Sequence, residues 1–149
     1  MKKYNLIIVD DHTLFRKGMQ LLLENFEMID KVYEASNGQD YLTMVSRNPI
    51  DIVFMDIDMP VMDGFEATIR SVEQFPDIKI IALSMYGEEQ YYYKMIHAGV
   101  KGFLLKDTDI NEVKNGNYEF AKKPNQPTVE SFFNSQKREY FRDEPEKIL

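Results

Sequence analysis

The sequence predicts an α/β fold of the doubly wound type, in which helices cover both faces of a five-stranded parallel sheet. Two observations lead to this prediction. Short apolar runs alternate with longer segments whose apolar residues recur every three or four positions. The short runs are apolar at consecutive positions, as strands covered on both faces must be. Right-handed crossovers between successive strands then give a parallel sheet with helices on both sides.

Five strands and four intervening helices account for residues 5–105. The strands are the short apolar runs, which cover residues 5–9, 32–35, 51–55, 79–83 and 102–105. The first helix begins near Thr13, and its apolar face carries Phe15, Met19, Leu22 and Phe26. Pro49 and Pro76 mark the ends of the second and third helices. Glu88 opens the fourth helix, and Gly99 ends it.

The chain beyond the fifth strand is less regular. A fifth helix is predicted from four residues that share one helical face, Ile110, Val113, Asn117 and Phe120. We expect one domain over residues 1–121. Residues 122–149 are expected to form a linker followed by a short tail, in which Thr128 could cap one helix.

The composition excludes several classes of function. The 149 residues are 44% hydrophobic and 29% charged, which is typical of a globular protein. The absence of cysteine excludes disulfides, thiol nucleophiles and cysteine–zinc sites. The net charge of −7 is not the basic footprint that nucleic-acid binding needs. No apolar run approaches the length of a membrane span, and we expect a cytoplasmic protein with no membrane contact.

Polar residues follow four of the five predicted strands. Asp10 and Asp11 follow the first strand and Asp56 follows the third, while Ser84 follows the fourth and Lys106 the fifth. In the flavodoxin-like strand order 2-1-3-4-5, the first and third strands are neighbours at the switch point where ligands bind. Three carboxylates are therefore expected to converge at one edge of the sheet, with a hydroxyl and an ammonium facing them.

This set of side chains favours phosphoryl chemistry with a divalent cation. Three carboxylates at close range cannot all ionise cheaply, and Mg²⁺ takes oxygen ligands and commonly joins carboxylates to a phosphate. A carboxylate is also a known nucleophile for forming an aspartyl phosphate. Lys106 would pair with one phosphoryl oxygen, and the Ser84 hydroxyl could donate to another. Taken singly, each residue has a purely structural explanation, such as a helix cap or a loop acid.

The segments that hold these residues resemble the receiver domain of bacterial two-component response regulators. The resemblance covers about residues 4–121. The segments that carry it are Asp10-Asp11, Met55-Asp56-Ile57-Asp58-Met59-Pro60-Val61-Met62-Asp63-Gly64, Ser84 and Lys101-Gly102-Phe103-Leu104-Leu105-Lys106-Asp107. The segment that begins Asp-Asp-His-Thr-Leu-Phe-Arg is similar to the NarL/FixJ subgroup.

The resemblance implies a metal site and a phosphorylation site. Asp56 would accept a phosphoryl group from a sensor histidine kinase. The side chains of Asp11 and Asp56 and the main-chain carbonyl of Asp58 would ligate Mg²⁺, with Asp10 acting largely through water.

The resemblance also implies a conformational switch. Ser84 and Lys106 would hold the phosphoryl group, and Phe103 would turn inward when Ser84 moves toward the phosphate. The protein would be a signalling switch that regulates transcription rather than an enzyme, and formation of a homodimer is left open.

Two other functions are weighed against this one. The Asp56-Ile57-Asp58 segment also fits the Asp-x-Asp motif of haloacid-dehalogenase-type phosphatases, in which the first Asp is the nucleophile and the second a general acid. Those enzymes carry this motif after the first strand and enclose the substrate with a cap domain, unlike this sequence. A DNA-binding module is disfavoured because the residues after Ala121 show no helix-turn-helix pattern. Contact with DNA is expected only through a domain absent from this chain.

Overall fold

The computed structural model describes residues 2–85 and 87–106, and it shows five parallel strands and four helices. The strands are β1 (Tyr4–Val9), β2 (Ile29–Ala35), β3 (Ile52–Asp56), β4 (Lys79–Ser84) and β5 (Gly102–Leu105). The helices are α1 (Thr13–Leu23), α2 (Gly38–Arg47), α3 (Gly64–Gln74) and α4 (Tyr92–Ala98). The strand order is β2-β1-β3-β4-β5, so the predicted fold class and topology are confirmed.

The three inner strands hold the core. Every residue in 6–9, 52–55 and 80–83 is fully buried. Burial on both faces explains why these strands are apolar at consecutive positions. Phe54 is among the largest of the fully buried side chains, and it lies near the middle of the sheet in β3.

The register of the sheet aligns the carboxyl ends of the strands. Val9 pairs with Met55, and Asp56 pairs with Leu83 on the next strand. Ser84 pairs with Leu105 at the end of β5. The residues at or just beyond these positions therefore share one edge, where the sequence predicts the functional side chains.

The structure corrects three predicted boundaries. β2 begins at Ile29 rather than residue 32, because Asp30 and Lys31 are exposed at the sheet edge and interrupt the apolar pattern. α1 ends at Leu23, so Phe26 packs on the core from the turn after the helix, where its main-chain N donates to the Leu23 carbonyl at 3.1 Å. α4 begins only at residue 92, because residues 89–91 form a 3-10 turn.

Some predictions concern parts of the chain that the structure does not cover. The fifth helix, the domain boundary at residue 121 and the tail over 122–149 all lie outside the described residues. Within residues 2–85 and 87–106, no helix is both long enough and apolar enough to span a bilayer.

Candidate functional site

A group of four side chains meets beyond the carboxyl ends of β1 and β3. Carboxylate oxygens of Asp10, Asp11 and Asp56 and a ring nitrogen of His12 all lie within 4.8 Å of one another. Asp10 and Asp56 are buried, whereas Asp11 and His12 are exposed. We call these four residues the acidic cluster. Since one side of it faces solvent, a small cation can reach the carboxylates.

Lys106 supplies positive charge to the acidic cluster. Its Nζ lies 2.8 Å from Oδ2 of Asp10 and 3.7 Å from Oδ2 of Asp56. Nζ also lies 2.6 Å from Nδ1 of His12 and 4.9 Å from the centre of the Phe15 ring. One ammonium faces three carboxylates, so the arrangement retains room for further positive charge.

Asp56 is a buried acid with one oxygen that lacks a hydrogen-bond donor. Burial raises the pKa of Asp56 well above its usual range, and the charge of Asp10 raises it further, while Lys106 lowers it without cancelling the rise. Oδ1 accepts a hydrogen bond from the main-chain N of Ile57 at 2.9 Å. Oδ2 is buried and has no hydrogen-bond donor among the described residues. That oxygen is therefore free to bind a cation or to attack an electrophile.

A glycine allows α3 to begin directly against the end of β3. The main-chain N of Gly64 donates to the carbonyl of Ile57 at 2.9 Å. A Cβ atom at Gly64 would lie 2.0 Å from the main-chain oxygen of Asp56, so only glycine fits there. Asp63 caps α3, since its Oδ1 accepts from the main-chain N of Glu66 at 2.9 Å. These contacts fix the loop that directly follows Asp56.

The same loop contains a strained residue, Val61. Its φ is +70°, and the main-chain N of Met62 donates across it to the carbonyl of Pro60 at 2.8 Å. A three-residue turn with positive φ is rare and strained, especially for a β-branched residue. The carbonyl of Met62 accepts from the main-chain N of Gly38 at 3.0 Å, so the strained turn is anchored to the start of α2.

Ser84 and Phe103 are connected through Tyr92. Ser84 is buried at the end of β4, and its Oγ lies 3.4 Å from the Tyr92 hydroxyl. The Tyr92 ring stacks on Phe103 with 4.2 Å between the ring centroids, and Phe103 is fully buried. Residues from β4, α4 and β5 are thus in contact with one another. The sequence alone does not reveal this link, because the link depends on how α4 packs across the two strands.

Four of the predicted site residues come together, and three lie outside the acidic cluster. Asp10, Asp11, Asp56 and Lys106 meet at one edge of the sheet, whereas Ser84 and Phe103 contact Tyr92 instead. The side chain of Asp58 is exposed and does not join the acidic cluster. The role predicted for Asp58 involves its main-chain carbonyl and stays a prediction.

Two further residues of the site were not predicted from the sequence. His12 lies over the carboxylates, with Nδ1 2.9 Å from Oδ1 of Asp10. Arg16 donates from Nη1 to the Asp10 carbonyl at 2.6 Å and from Nε to Oε1 of Glu34 at 3.0 Å. Their position directly after the acidic pair, His12 next to it and Arg16 one helical turn further, is the sequence signal that could have indicated them.

Glu34 forms ion pairs with both Arg16 and Lys17. Its Oε1 accepts from Arg16, and its Oε2 accepts from Nζ of Lys17 at 2.9 Å. Burial alone would raise the pKa of Glu34, but hydrogen bonds from Lys17 and Arg16 outweigh burial and hold the pKa below its usual value. The Asp10 main chain is therefore tied through Arg16 to β2.

An open parallel α/β sheet with an acidic cluster and a lysine at its carboxyl edge defines a CheY-like receiver fold. A CheY-like receiver domain protein from Methanospirillum hungatei shares this fold, with a TM-score of 0.74 and 20% identity over 93% of this chain and 99% of that one. The sequence matches the family described as the response regulator receiver domain over residues 6–116. The chain belongs to this family, which is a family of signalling domains.

Curated relatives are of the same kind. The transcriptional regulatory protein YhcZ of Bacillus subtilis is 36% identical over 108 residues, which are 72% of this chain and 50% of YhcZ. The response regulator UvrY of Escherichia coli is 38% identical over 109 residues, which are 73% of this chain and 50% of UvrY. The chain thus spans about half the length of the curated relatives it matches.

Solved structures of response regulators are similar to this chain over most of its length. A two-component response regulator of the LuxR family from Aurantimonas is 26% identical with a TM-score of 0.69, over 77% of this chain and 82% of that one. The CheX–CheY complex with BeF₃ and Mg²⁺ from Borrelia burgdorferi matches at 28% identity and the same TM-score, over 76% of this chain and 86% of that one. Receiver domains generally bind Mg²⁺ at an acidic pocket, and this chain has a cluster of acidic side chains at the carboxyl edge of its sheet.

Proposed function

We propose that this chain is a phosphorylation-activated switch in which Asp56 accepts a phosphoryl group from a sensor histidine kinase. The observation that carries the proposal is the buried Oδ2 of Asp56, which has no hydrogen-bond donor among the described residues and lies 3.7 Å from Nζ of Lys106. The family supports the proposal, since receiver domains belong to two-component systems. The expected place of action is the cytoplasm, where such kinases present their phosphohistidine.

The residues of the site fit a bound Mg²⁺. The carboxylates of Asp11 and Asp56 and the main-chain carbonyl of Asp58 would hold the ion, with Asp10 acting largely through water. Oxygen ligands with several retained waters are what Mg²⁺ requires. When bound, Mg²⁺ supplies charge neutralisation for the phosphoryl oxygens.

The chain's own residues account for the rest of the reaction. An oxygen of Asp56 forms a bond to phosphorus while the bond from phosphorus to the donor's imidazole nitrogen breaks, and the imidazole leaves with the electron pair. Lys106 leaves its contacts in the acidic cluster and pairs with a phosphoryl oxygen, and the Ser84 hydroxyl donates to another. Because Ser84 contacts Tyr92 and Tyr92 stacks on Phe103, movement of Ser84 changes the packing beneath α4 and β5.

The mass of the intact protein tests the acceptor site. The chain is incubated with acetyl phosphate, with and without Mg²⁺, as wild type and as Asp56→Asn. We expect one phosphoryl adduct per chain on the wild type, only with Mg²⁺, and none on Asp56→Asn. Asp58→Asn serves as a matched control, since its carboxylate is exposed outside the acidic cluster, and it should still form the adduct. An adduct that survives in Asp56→Asn would overturn the assignment.

The output of the switch is proposed to be a change in association. Phosphorylation would alter the surface formed by α4 and β5 and so change homodimer formation or the choice of partner, with transcription as the process regulated, as the names of the relatives indicate for those proteins. Light scattering with and without fluoroberyllate measures the oligomeric state. An unchanged mass in both conditions would exclude the homodimer as the output.

The phosphatase interpretation receives no support from the comparisons. The family match is to receiver domains, and Asp58, the proposed general acid, has an exposed side chain outside the acidic cluster. A switch is modified once per chain, so phosphate release from a small phosphoester should not exceed one equivalent.

A further inference from the structure

His12 is a part of the acidic cluster that the proposed function does not use. It stands directly before α1 but makes no side-chain hydrogen bond to the start of that helix. Its ring instead lies over the carboxylates, although 62% of the side-chain surface remains exposed. Nδ1 lies 2.9 Å from Asp10, 3.6 Å from Asp11 and 3.8 Å from Asp56, measured to the nearest carboxylate oxygens. An imidazole nitrogen therefore faces the same space as three carboxylates.

Lys106 and Asp10 are the two close polar neighbours of this nitrogen. In the tautomer that carries its proton on Nε2, Nδ1 of His12 accepts a hydrogen bond from Nζ of Lys106 at 2.6 Å, because an ammonium has donors and no acceptor. In the other tautomer, Nδ1 donates to Oδ1 of Asp10 at 2.9 Å. Oδ1 of Asp10, 2.9 Å from Nδ1, already accepts from the main-chain N of His12 at 2.8 Å. The place between Nδ1 of His12 and Oδ1 of Asp10 can thus be filled by one positive group, a proton or a cation. A cation shared by both atoms would be bound by the tautomer that carries its proton on Nε2.

The distances suit ligands of one ion. Ligands bound at about 2.1 Å lie about 3 Å apart when adjacent in an octahedron and about 4 Å apart when opposite. The distances from Nδ1 to the three carboxylates fall within or close to this range. Independently, the buried Oδ2 of Asp56 lacks a hydrogen-bond donor among the described residues and lies in the same space. The nitrogen and this oxygen are thus both placed to bind a cation.

We infer that Nδ1 of His12 is a direct ligand of the cation held by the acidic cluster, so that this site prefers imidazole-binding transition ions over Mg²⁺ more strongly than an all-oxygen site does. Imidazole suits Fe²⁺, Co²⁺, Ni²⁺ and Zn²⁺, whereas Mg²⁺ is best served by oxygen ligands and water. The inference rests on the proposed function only because both use the same cation site. Loading the ion would also release Lys106 from His12, since ammonium and metal ion compete for one lone pair.

Calorimetric titration with Co²⁺ and with Mg²⁺ tests the preference. The proteins compared are the wild type, His12→Asn and His97→Gln. His97 is the other histidine of the chain, exposed on α4 with Nδ1 2.9 Å from the carbonyl of Tyr93, so it controls for surface binding. Asparagine is a favourable residue before a helix, so His12→Asn should fold.

We expect His12→Asn to bind Co²⁺ at least about tenfold more weakly. Mutating a residue that only hydrogen-bonds a metal ligand already lowers metal affinity by about that factor. Its Mg²⁺ affinity should change little, because water can replace the nitrogen. His97→Gln should match the wild type for both ions. A ratio of Co²⁺ to Mg²⁺ affinity that is the same in all three proteins overturns the inference.

Pulsed electron paramagnetic resonance of the Mn²⁺-loaded chain gives a second, direct measurement. Coupling to a directly bound imidazole nitrogen should be present in the wild type and in His97→Gln and absent in His12→Asn. Nitrogen coupling that persists in His12→Asn, or is missing from the wild type, overturns the inference. If Mg²⁺ binds normally in that case, the proposed function stands. If the wild type binds neither Mg²⁺ nor Co²⁺, both proposals fail.

Discussion

At the scale of single residues, burial of Asp56 determines the balance of charge within the acidic cluster. Its carboxylate loses hydration and faces Asp10, and the single ammonium of Lys106 compensates only in part. The folded state therefore disfavours ionised Asp56 unless a cation is bound. The same electrostatic repulsion that destabilises the acidic cluster would favour the proposed binding of Mg²⁺, because a bound cation would remove the repulsion.

The raised pKa of Asp56 predicts a stability effect that depends on pH. A carboxyl whose pKa is raised on folding contributes stability below its unfolded pKa of about 3.9, and this contribution is lost as the pH rises through the folded value. Without divalent ions at pH 7.5, the free energy of unfolding of Asp56→Asn should therefore exceed that of the wild type by at least about 1 kcal/mol. The gain should shrink as the pH falls toward about 4, where Asp56 is protonated in both states.

Urea unfolding across this pH range, in the presence of a chelator, measures the effect. Asp58→Asn is the matched control, because it also removes one carboxylate but at an exposed position, and it should show no comparable gain in stability at pH 7.5. Equal stability of Asp56→Asn and wild type at pH 7.5 would contradict the electrostatic account.

At the scale of elements, the loop between β3 and α3 determines where Asp56 points. The loop is held by the hydrogen bond from Gly64 to Ile57 and by the contact of Met62 with the start of α2. It also contains the positive φ of Val61, which opposes its stability. Two substitutions separate these contributions.

Val61→Asn should stabilise the protein. Asparagine tolerates positive φ, whereas a β-branched residue there costs about 1–2 kcal/mol. Val61 is 82% exposed, so little packing is lost, and we expect a gain of about 1 kcal/mol in the free energy of unfolding. Val61→Ala, which keeps a Cβ but removes the branch, should gain less. The urea midpoints of the three proteins measure these differences in stability. A lower midpoint for Val61→Asn than for the wild type would mean that the turn is not strained.

Gly64→Ala should destabilise the protein and disturb Asp56. The added Cβ would lie 2.0 Å from the Asp56 carbonyl oxygen, so the backbone must move, at a cost of about 1–3 kcal/mol or more. We also expect weaker Mg²⁺ binding, measured by calorimetry. Gly18→Ala is the matched control, since no atom of the described residues lies within 4 Å of a Cβ there. Because Gly18 lies within α1, this substitution should raise the free energy of unfolding by about 0.5–1 kcal/mol. Retention of full stability and metal affinity by Gly64→Ala would disprove this role of the glycine.

At the scale of the whole molecule, the acidic cluster is coupled to global stability. Its side chains lie at the carboxyl ends of β1 and β3, which only the folded sheet brings together, so the site exists only in the folded chain. Mg²⁺ at about 100 times its dissociation constant should therefore add about 2.7 kcal/mol to the free energy of unfolding. Thermal or urea unfolding with Mg²⁺, against NaCl at equal ionic strength, measures this. An identical shift with NaCl would mean that only screening is at work.

The fold and most of the acidic cluster could be predicted from the sequence, because both depend on local patterns. Asp10, Asp56 and Lys106 each stand at the end of an apolar run, and the parallel topology brings strand ends to one edge. The orientation of His12 and the contact from Ser84 through Tyr92 could not be predicted in this way. They depend on side-chain rotamers and on the packing of α4, which leave no periodic signal.

Parallel register has a consequence for the fidelity of the signal. Asp56 pairs with Leu83, and Val9, directly before the acidic pair, pairs with Met55. A slip of one residue in either pairing would turn a carboxylate to the opposite face of the sheet and dismantle the acidic cluster. Under the proposed function, a wrongly assembled chain would thus be unable to receive the phosphoryl group. Errors of folding would then produce an inactive protein rather than one that signals without a stimulus.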